Sequence, residues 1–235
     1  MNVSVAMATY NGEKYLREQL DSIISQLSNN DEIIISDDGS TDETLNILLE
    51  YKSRYSFIKI YKGPERGVFS NFNNALLHCN NEIIFLSDQD DIWLEGKVKD
   101  ICSIFEDNDV SLVLHNGYHF YDIGENKMNR MIKQYKKGWL NNWAFSSYWG
   151  CCMAFRLSFI NKYIPLKTNG CAHDQLIGMI GEKYTNPIFV DKFLIKHRVH
   201  EKNLTRERNF ANKIFFRIYL MKDFIITILN EKNRV

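Results

Sequence analysis

The sequence has no surplus of charge of either sign, because 29 lysines and arginines are balanced by 29 aspartates and glutamates. A protein that binds duplex nucleic acid needs excess positive charge to displace the counterions of the phosphates. Nucleic acid is therefore not an expected partner. The low hydrophobic content of a disordered chain is also absent, since 45% of the residues are hydrophobic. The length of 235 residues suffices for one large domain.

Long apolar runs and cysteine motifs are absent as well. No run approaches the ~20 apolar residues of a membrane-spanning helix, and no basic segment precedes the apolar N-terminal residues. The five cysteines include no CxxC pair, and their odd number favours a reducing compartment. We therefore expect a cytoplasmic protein whose thiols are mostly buried: Cys79, Cys102, Cys151, Cys152 and Cys171.

Short apolar runs alternate with amphipathic stretches as far as about residue 116, which is typical of strand–helix units and a largely parallel sheet. We therefore predict an α/β fold. Apolar spacing also predicts a helix over about residues 172–183. Behind the second strand, Ser40 and Glu43 have the spacing of a capping box, which predicts a helix starting at Ser40. The predicted strands are 3–8, 32–36, 57–61, 82–87, 110–115 and 152–155, with two more near Ile188 and Ile195.

Three predicted strands end in polar loops, at residues 9–12, 36–40 and 87–91. Ligands bind at this edge of an open α/β sheet. Asp88 and Asp90 are two residues apart, so in an extended segment their carboxylates point to the same side. Two such carboxylates suit Mg²⁺ or Mn²⁺ and leave positions open for phosphate oxygens. The alternative is a solvated acidic turn.

No glycine-rich phosphate loop of the GxGxxG or GxxxxGK kind follows any predicted strand. A nucleotide diphosphate bound at this edge would therefore need a metal ion for neutralisation. At the end of the second strand, Asp38 could accept the imide N–H of uracil or thymine, which adenine cannot offer. Its alternative role is that of a turn former.

Five segments together carry a family resemblance: ATYNGEKYL, SDDGSTDET, LSDQDDIW, HDQL and KHRVHEKN. In this order and spacing they resemble family 2 glycosyltransferases with the GT-A fold, a Rossmann-like nucleotide-sugar-binding fold, over about residues 1–205. LSDQDDIW, with GVFSNF before it, is most similar to bacterial rhamnosyltransferase-type enzymes of capsule, O-antigen and cell-wall polysaccharide synthesis.

The resemblance implies roles for individual residues. Asp174 matches the carboxylate that deprotonates the acceptor hydroxyl in inverting members; the alternative is an aspartate stabilised by the helix N-terminus. His200 and Asn203 match a segment that contacts metal or pyrophosphate, although the spacing is RxH here. The residues implied to bind the nucleotide sugar are Thr9, Tyr10, Asn11, Asp38, Asn71, Asp88 and Arg198, those implied to hold Mn²⁺ or Mg²⁺ are Asp90, Asp88 and His200, and those implied on the acceptor side are Trp149, Gly150 and Cys151.

The segment from residue 210 to 229 combines apolar residues at helical spacing with interleaved lysine and arginine. A basic amphipathic helix of this kind can lie on the inner face of the cell membrane. The alternative is packing on the domain itself or on a second subunit in a homodimer. We predict a donor-binding half at 1–116, an acceptor-binding and catalytic half at 117–205 and an amphipathic helix at 206–235.

The resulting hypothesis is an inverting glycosyltransferase that uses a UDP- or dTDP-sugar, with dTDP-rhamnose as a candidate. Its acceptor would be a lipid-linked saccharide. A sugar nucleotidylyltransferase is the first alternative, but it requires a glycine-rich basic loop that residues 8–12 do not provide. A non-catalytic nucleotide-sugar-binding scaffold is the second. A glycosidase also uses two carboxylates, but without nucleotide or metal.

Overall fold

The structure, a computed structural model, describes residues 1–121, 128–166, 173–200 and 210–232, with only the backbone at 210–211 and 231–232. Cys171 and Asn203, two residues of the sequence predictions, lie outside the described residues. The described part of the chain contains β1 (Val3–Thr9), β2 (Glu32–Asp37), β3 (Ile58–Lys62), β4 (Ile83–Ser87), β5 (Ile92–Trp93), β6 (Leu112–Tyr121), β7 (Asn129–Arg130), β8 (Met153–Arg156) and β9 (Ile188–Val199).

The helices between these strands cover the faces of the sheet. They are α1 (Leu16–Ile24), α2 (Thr44–Arg54), α3 (Val68–Leu77), α4 (Lys97–Ile104), α5 (Trp139–Ala144), α6 (Leu157–Ile160), α7 (His173–Tyr184) and α8 (Phe210–Lys232), with a 3₁₀ turn at Gly150–Cys152. Within the described ranges, none of these helices combines the length and apolar character needed to cross a membrane.

The strands form one sheet in the order β3-β2-β1-β4-β8-β6-β9-β5, and β7 pairs with β6. The first four strands of this order run parallel, so their carboxyl ends lie at one edge. β1 and β2 are buried along their whole length, which explains their continuous apolar character. This arrangement confirms the predicted α/β class. Residue 116, the predicted boundary between the two halves, lies inside β6.

Two local predictions are wrong. The strands expected near Ile188 and Ile195 are one strand, β9, because its pairing with β6 skips the polar residues Asp191 and Lys192 in a register shift and resumes at Phe193. The helix expected from Ser40 begins at Thr44 instead. The Ser40 hydroxyl is unavailable as a cap because it donates to Asp37 Oδ2 at 2.6 Å and accepts from the Asn11 N–H at 2.9 Å.

Helix α8 packs one face on the domain. Leu220 and Phe224 are buried, and the Phe224 ring stacks on Trp139 with centroids 5.3 Å apart. The Trp143 indole N–H donates to the Arg217 carbonyl at 2.8 Å. The predicted packing of this helix on its own domain is therefore present for this face.

A buried carboxylate joins the first two strands at the edge opposite the polar loops. Glu32 Oε1 accepts from Ser4 Oγ at 2.6 Å and from the Asn80 N–H at 2.7 Å, and its Oε2 accepts from Lys59 Nζ at 2.7 Å. Burial alone would raise the pKa of Glu32, but these three donors outweigh it and lower the pKa below the ordinary value.

We expect Glu32→Gln to lower the free energy of unfolding at pH 7 by about 1–3 kcal/mol. The amide N–H₂ replaces one carboxylate oxygen and cannot accept a hydrogen bond, so not all three donors keep an acceptor. Because the folded-state pKa is lowered, the carboxylate contributes fully above the ordinary value of 4.5 and loses this contribution as the pH falls through the folded-state pKa. Urea titrations of wild type and variant, at pH 7 and at a pH below the folded-state pKa of Glu32, measure the effect. The exposed Glu106→Gln serves as control. An equal loss at low pH would contradict the ionic origin.

Candidate active site

The loops after β1 and β4 are joined by the Gln89 side chain. Its Oε1 accepts from the Tyr10 backbone N–H at 2.9 Å, and its Nε2 donates to the Tyr10 carbonyl at 3.0 Å. Gly12 permits this approach, since a Cβ there would lie 2.4 Å from Gln89 Oε1. Through Gln89, the backbone of one predicted donor-binding loop is held against the loop that carries Asp88 and Asp90.

Asp37 organises the loop after β2. Its carboxylate accepts hydrogen bonds from Thr9 Oγ1 at 2.8 Å and from the Ser40 N–H at 2.9 Å. Asn11, in the left-handed region with φ 48°, accepts from the Thr41 N–H at 2.8 Å. Thr9 and Asn11 are thus both engaged inside the loops, whereas the Tyr10 side chain is 55% exposed at the edge.

Asp38 and Asn71 lie beside these loops. Asp38 accepts the N–H groups of Glu65 at 2.6 Å and Gly67 at 2.8 Å, one on each oxygen. Each oxygen keeps a second lone pair, so the carboxylate can still accept an imide N–H. Asn71 is 2% exposed and donates to the Thr9 carbonyl at 3.1 Å, which places it beneath the loop after β1.

The segment after β4 concentrates negative charge. Burial raises the pKa of Asp88 well above the usual range, and the neighbouring charges of Asp91 and Asp90 raise it further. The pKa of Asp90 is raised by burial and by Asp91, against the opposing effect of its hydrogen bond to His200. Carboxylates held together in this way favour a cation among them.

His200 and Arg198, at the end of β9, reach the same segment. His200 Nε2 lies 2.8 Å from Asp90 Oδ2, and Arg198 Nε donates to the Asp90 carbonyl at 2.9 Å. The guanidinium also pairs with Glu18 and lies 4.5 Å from the Tyr15 ring centroid. The Asp90 carboxylate is the kind of oxygen ligand that Mn²⁺ and Mg²⁺ take, and His200 Nε2 lies next to it as a further metal-ligating atom.

A buried cluster behind this pair was not predicted. Asp91 Oδ1 accepts from His197 Nδ1 at 2.8 Å and from the Arg198 N–H at 3.0 Å. Burial alone would lower the pKa of His197, but the Asp91 carboxylate outweighs it and raises the pKa well above the ordinary value. Asp91 therefore fastens the carboxylate segment to the end of β9. The only signal in the sequence was a third aspartate directly after Asp90.

Asp91, His197 and Cys151 also form the one group in the described part of the chain whose three metal-ligand atoms lie within 4.8 Å of one another. Its chemistry does not fit a cation. The raised pKa of His197 favours the protonated imidazole, which has no lone pair for a metal ion, and buried Lys97 donates to the Cys151 carbonyl at 2.7 Å. A hydrogen-bonded network accounts for these contacts.

Asp174 lies in the first turn of α7, and its charge contributes to the raised pKa of Asp88. His173 anchors this turn to α3, because its ring stacks on Phe72 with centroids 4.1 Å apart. Burial lowers the pKa of His173 to about 3, so this imidazole is neutral. Gly150 allows close packing here, because a Cβ would lie 3.1 Å from His173 Nε2 and 3.6 Å from Asp174 Cβ.

The residues proposed for the acceptor side differ in how far they are buried. Trp149 is half-buried, with its ring 5.6 Å from that of His197. Cys151 is 2% exposed and belongs to the interior cluster. Two neighbouring aromatic residues are engaged inside the protein: the Trp143 indole N–H donates to the Arg217 carbonyl, and the Tyr148 hydroxyl bonds to Glu182 at 2.8 Å.

Solved structures show the class of protein to which this fold belongs. S. aureus TarS, residues 1–349 in complex with UDP-GlcNAc, matches with a TM-score of 0.75 at 22% identity, covering 98% of this chain and 67% of that chain. Mannosyltransferase PcManGT from Pyrobaculum calidifontis, in complex with GDP-Man and Mn²⁺, matches with a TM-score of 0.66 at 19% identity, covering 96% and 64%. The chain has the GT-A fold of glycosyltransferases.

The family follows from the sequence match. The family model "Glycosyl transferase family 2" matches residues 4–164, and the chain belongs to this family. The dTDP-rhamnosyl transferase RfbG of Shigella flexneri is 31% identical over 211 residues, which cover 84% of this chain and 72% of RfbG. An uncharacterized glycosyltransferase of Nostoc sp. is 30% identical over 117 residues, 49% of this chain and 36% of that protein.

Proposed function

We propose that this protein transfers a sugar from a UDP- or dTDP-sugar, with dTDP-rhamnose as the first candidate, to a hydroxyl of a saccharide acceptor with inversion. The observation that carries the proposal is the meeting of Asp90 and His200 at 2.8 Å, next to Asp88, whose pKa is raised in part by the charges of Asp90 and of Asp174 in α7. The name of the dTDP-rhamnosyl transferase RfbG and the complex of TarS with UDP-GlcNAc support a dTDP- or UDP-linked donor. Synthesis of a surface polysaccharide on a lipid-linked acceptor is the process that fits this chemistry.

The donor lies across the loops after β1, β2 and β4 in this proposal. Asp38 accepts the imide N–H of the pyrimidine, and the 9–11 loop contacts the nucleoside. Asp90 and His200, together with Asp88, would hold Mn²⁺ or Mg²⁺, and the ion would supply positive charge that stabilises the departing diphosphate.

The chain's own catalytic group in this proposal is Asp174. Its carboxylate takes the proton of the acceptor hydroxyl, and the freed oxygen attacks the anomeric carbon while the bond to the diphosphate oxygen breaks. Trp149 and the Gly150 backbone border the acceptor, whereas the Cys151 side chain is buried and does not. One glycosidic bond forms, and a nucleoside diphosphate is released.

The test is release of nucleoside diphosphate from a panel of UDP-, dTDP- and GDP-sugars, with Mn²⁺, with Mg²⁺ and with EDTA. Cation-dependent release of UDP or dTDP supports the proposal and identifies the donor. Pyrophosphate as product would favour a nucleotidylyltransferase. Donor binding without turnover on any acceptor would favour a scaffold.

We also propose that the outer face of α8 lies on an anionic lipid surface at the inner side of the membrane. Six large side chains of this face are about half exposed: Ile214, Phe215, Ile218, Tyr219, Ile225 and Leu229. At 100° per residue, Lys222 falls at the centre of the face. A symmetric antiparallel helix pair in a homodimer would bring two copies of this lysine together, whereas a lipid phosphate would neutralise it.

We expect the double substitution of Phe215→Ser with Ile218→Ser to weaken sedimentation with phosphatidylglycerol-containing vesicles at least ~10-fold, because two large apolar side chains no longer insert. Phosphatidylcholine vesicles should bind wild type less strongly. Leu49→Ser, at a 58% exposed position on α2, is the matched control. Equal vesicle binding by wild type and the double variant, or a dimer that the double variant dissociates, would contradict the lipid proposal.

A further inference from the structure

A groove with a volume of about 860 Å³ lies beside Trp149 and His119. It lies between the β6–β7 hairpin and the segment that joins α5 to the 3₁₀ turn. The side chains that matter here are aromatic or basic: Phe145, Trp149, Arg130, Lys133 and Lys136.

The groove borders the residue that precedes Gly150. Its inner wall contains His119 and Trp149, whose ring centroids lie 5.2 Å and 5.6 Å from that of His197. The next residue after Trp149 is Gly150, whose backbone packs on the first turn of α7 at Asp174. A saccharide that contacts Trp149 would therefore lie next to the segment that packs on the first turn of α7.

The aromatic lining suits sugar rings. Phe145 is 66% exposed and Tyr121 is 41% exposed, although such large side chains are usually buried. The Lys136 ammonium lies 4.3 Å from the Phe145 ring centroid, so a charged group and an apolar ring face are presented together. Apolar faces of sugar rings pack on aromatic rings, and the neighbouring ammonium is placed to meet a substituent of the same ring.

The lysine and arginine side chains that line the groove make it basic, although the net charge of the whole chain is zero. Arg130, Lys133 and Lys136 line it, and no acidic side chain does in the parts of the chain that the structure describes. Arg130 is paired with Asp191 and also donates to the Ile132 carbonyl at 2.8 Å. The two lysines therefore carry the excess positive charge.

We infer that the groove is an acceptor subsite for a saccharide that carries a negatively charged group, a phosphate or a carboxylate, bound by Lys133 and Lys136. The inference rests on the proposed glycosyl transfer and adds to it the class of the acceptor. Trp149 and Phe145 contact the sugar rings, the lysines bind the anionic substituent, and the reacting hydroxyl is directed towards Asp174.

The test measures binding of three matched probes by ligand-observed NMR: glucose 1-phosphate, glucuronic acid and methyl glucoside. Wild type should bind one or both anionic probes more tightly than the neutral probe, and the stronger of the two identifies phosphate or carboxylate as the source of the charge. The combined substitutions Lys133→Gln and Lys136→Gln should weaken binding of that probe roughly 10-fold. Methyl glucoside binding should not change.

Lys137→Gln is the matched control, because this exposed lysine contacts Asn186 and does not line the groove. A phosphate bound in the donor site instead would be insensitive to the double variant, and that result overturns the inference. Equal binding of charged and neutral probes by wild type also overturns it. Binding of UDP or dTDP, measured on the same samples, tests the proposed function separately, since neither lysine contacts the donor loops.

Discussion

Asp90→Asn is expected to lower the rate of sugar transfer by roughly 10³-fold or more. Loss of one carboxylate charge removes the group that meets His200 at 2.8 Å and weakens the affinity for Mn²⁺ or Mg²⁺. The amide also cannot supply the negative charge that balances the cation. Nucleoside diphosphate release at saturating donor, titrated with Mn²⁺, gives both the rate and the apparent cation affinity.

The fold should survive this substitution, because Asp91 rather than Asp90 joins the segment to His197 in the interior. Asp109→Asn is the control, an exposed aspartate on the loop before β6. Equal melting temperatures for the two variants and wild type would confirm that the lost activity reflects the site. Wild-type transfer by the Asp90 variant would show that the cation is held elsewhere or is not used.

Asp174→Asn is expected to lower transfer by roughly 10²–10⁴-fold, the range that general-base catalysis contributes. The amide is almost isosteric with the carboxylate, and its Oδ1 can still accept from the Gln175 N–H at the start of α7. Binding of donor and cation should therefore persist. Transfer to acceptor, compared with donor binding by calorimetry, separates loss of the base from loss of the site.

The comparison with Asp90→Asn provides the discriminating pattern. The Asp90 variant should lose cation-dependent donor binding together with turnover, whereas the Asp174 variant should lose turnover alone. If the Asp174 variant transfers sugar at the wild-type rate, another group takes the proton from the acceptor hydroxyl. If both variants bind donor as wild type does and wild type does not turn over, the scaffold alternative holds.

Much of the fold could be predicted from local patterns. The strands from 3–8 to 82–87 begin and end within one residue of β1 to β4. In β1, β2 and β4 the continuous apolar runs report burial on both faces of a parallel sheet. Once these strands are parallel, their polar ends must lie at one edge. The closeness of the 9–12, 36–40 and 87–91 loops thus follows from the sequence.

Local patterns failed where a polar group had a distant partner. The capping-box spacing of Ser40 and Glu43 was correct as a pattern, but Asp37 and Asn11 engage the Ser40 hydroxyl in the folded chain. Polar residues in the middle of β9 resembled a loop, although the strand continues because pairing with β6 resumes beyond them at Phe193. In both cases tertiary contacts outweighed the local preference.

The sequence by itself determined the α/β architecture, the edge at which ligands bind, and the chemical type of the groups found there. Only the tertiary structure decided which of these groups meet: Asp91 with His197, 106 residues away, and Gln89 with Tyr10, 79 residues away. It also placed Cys151 in the interior and opened a basic groove next to Trp149. The physical reason is that periodicity reports burial of each segment separately, whereas contacts between segments depend on strand order and side-chain packing.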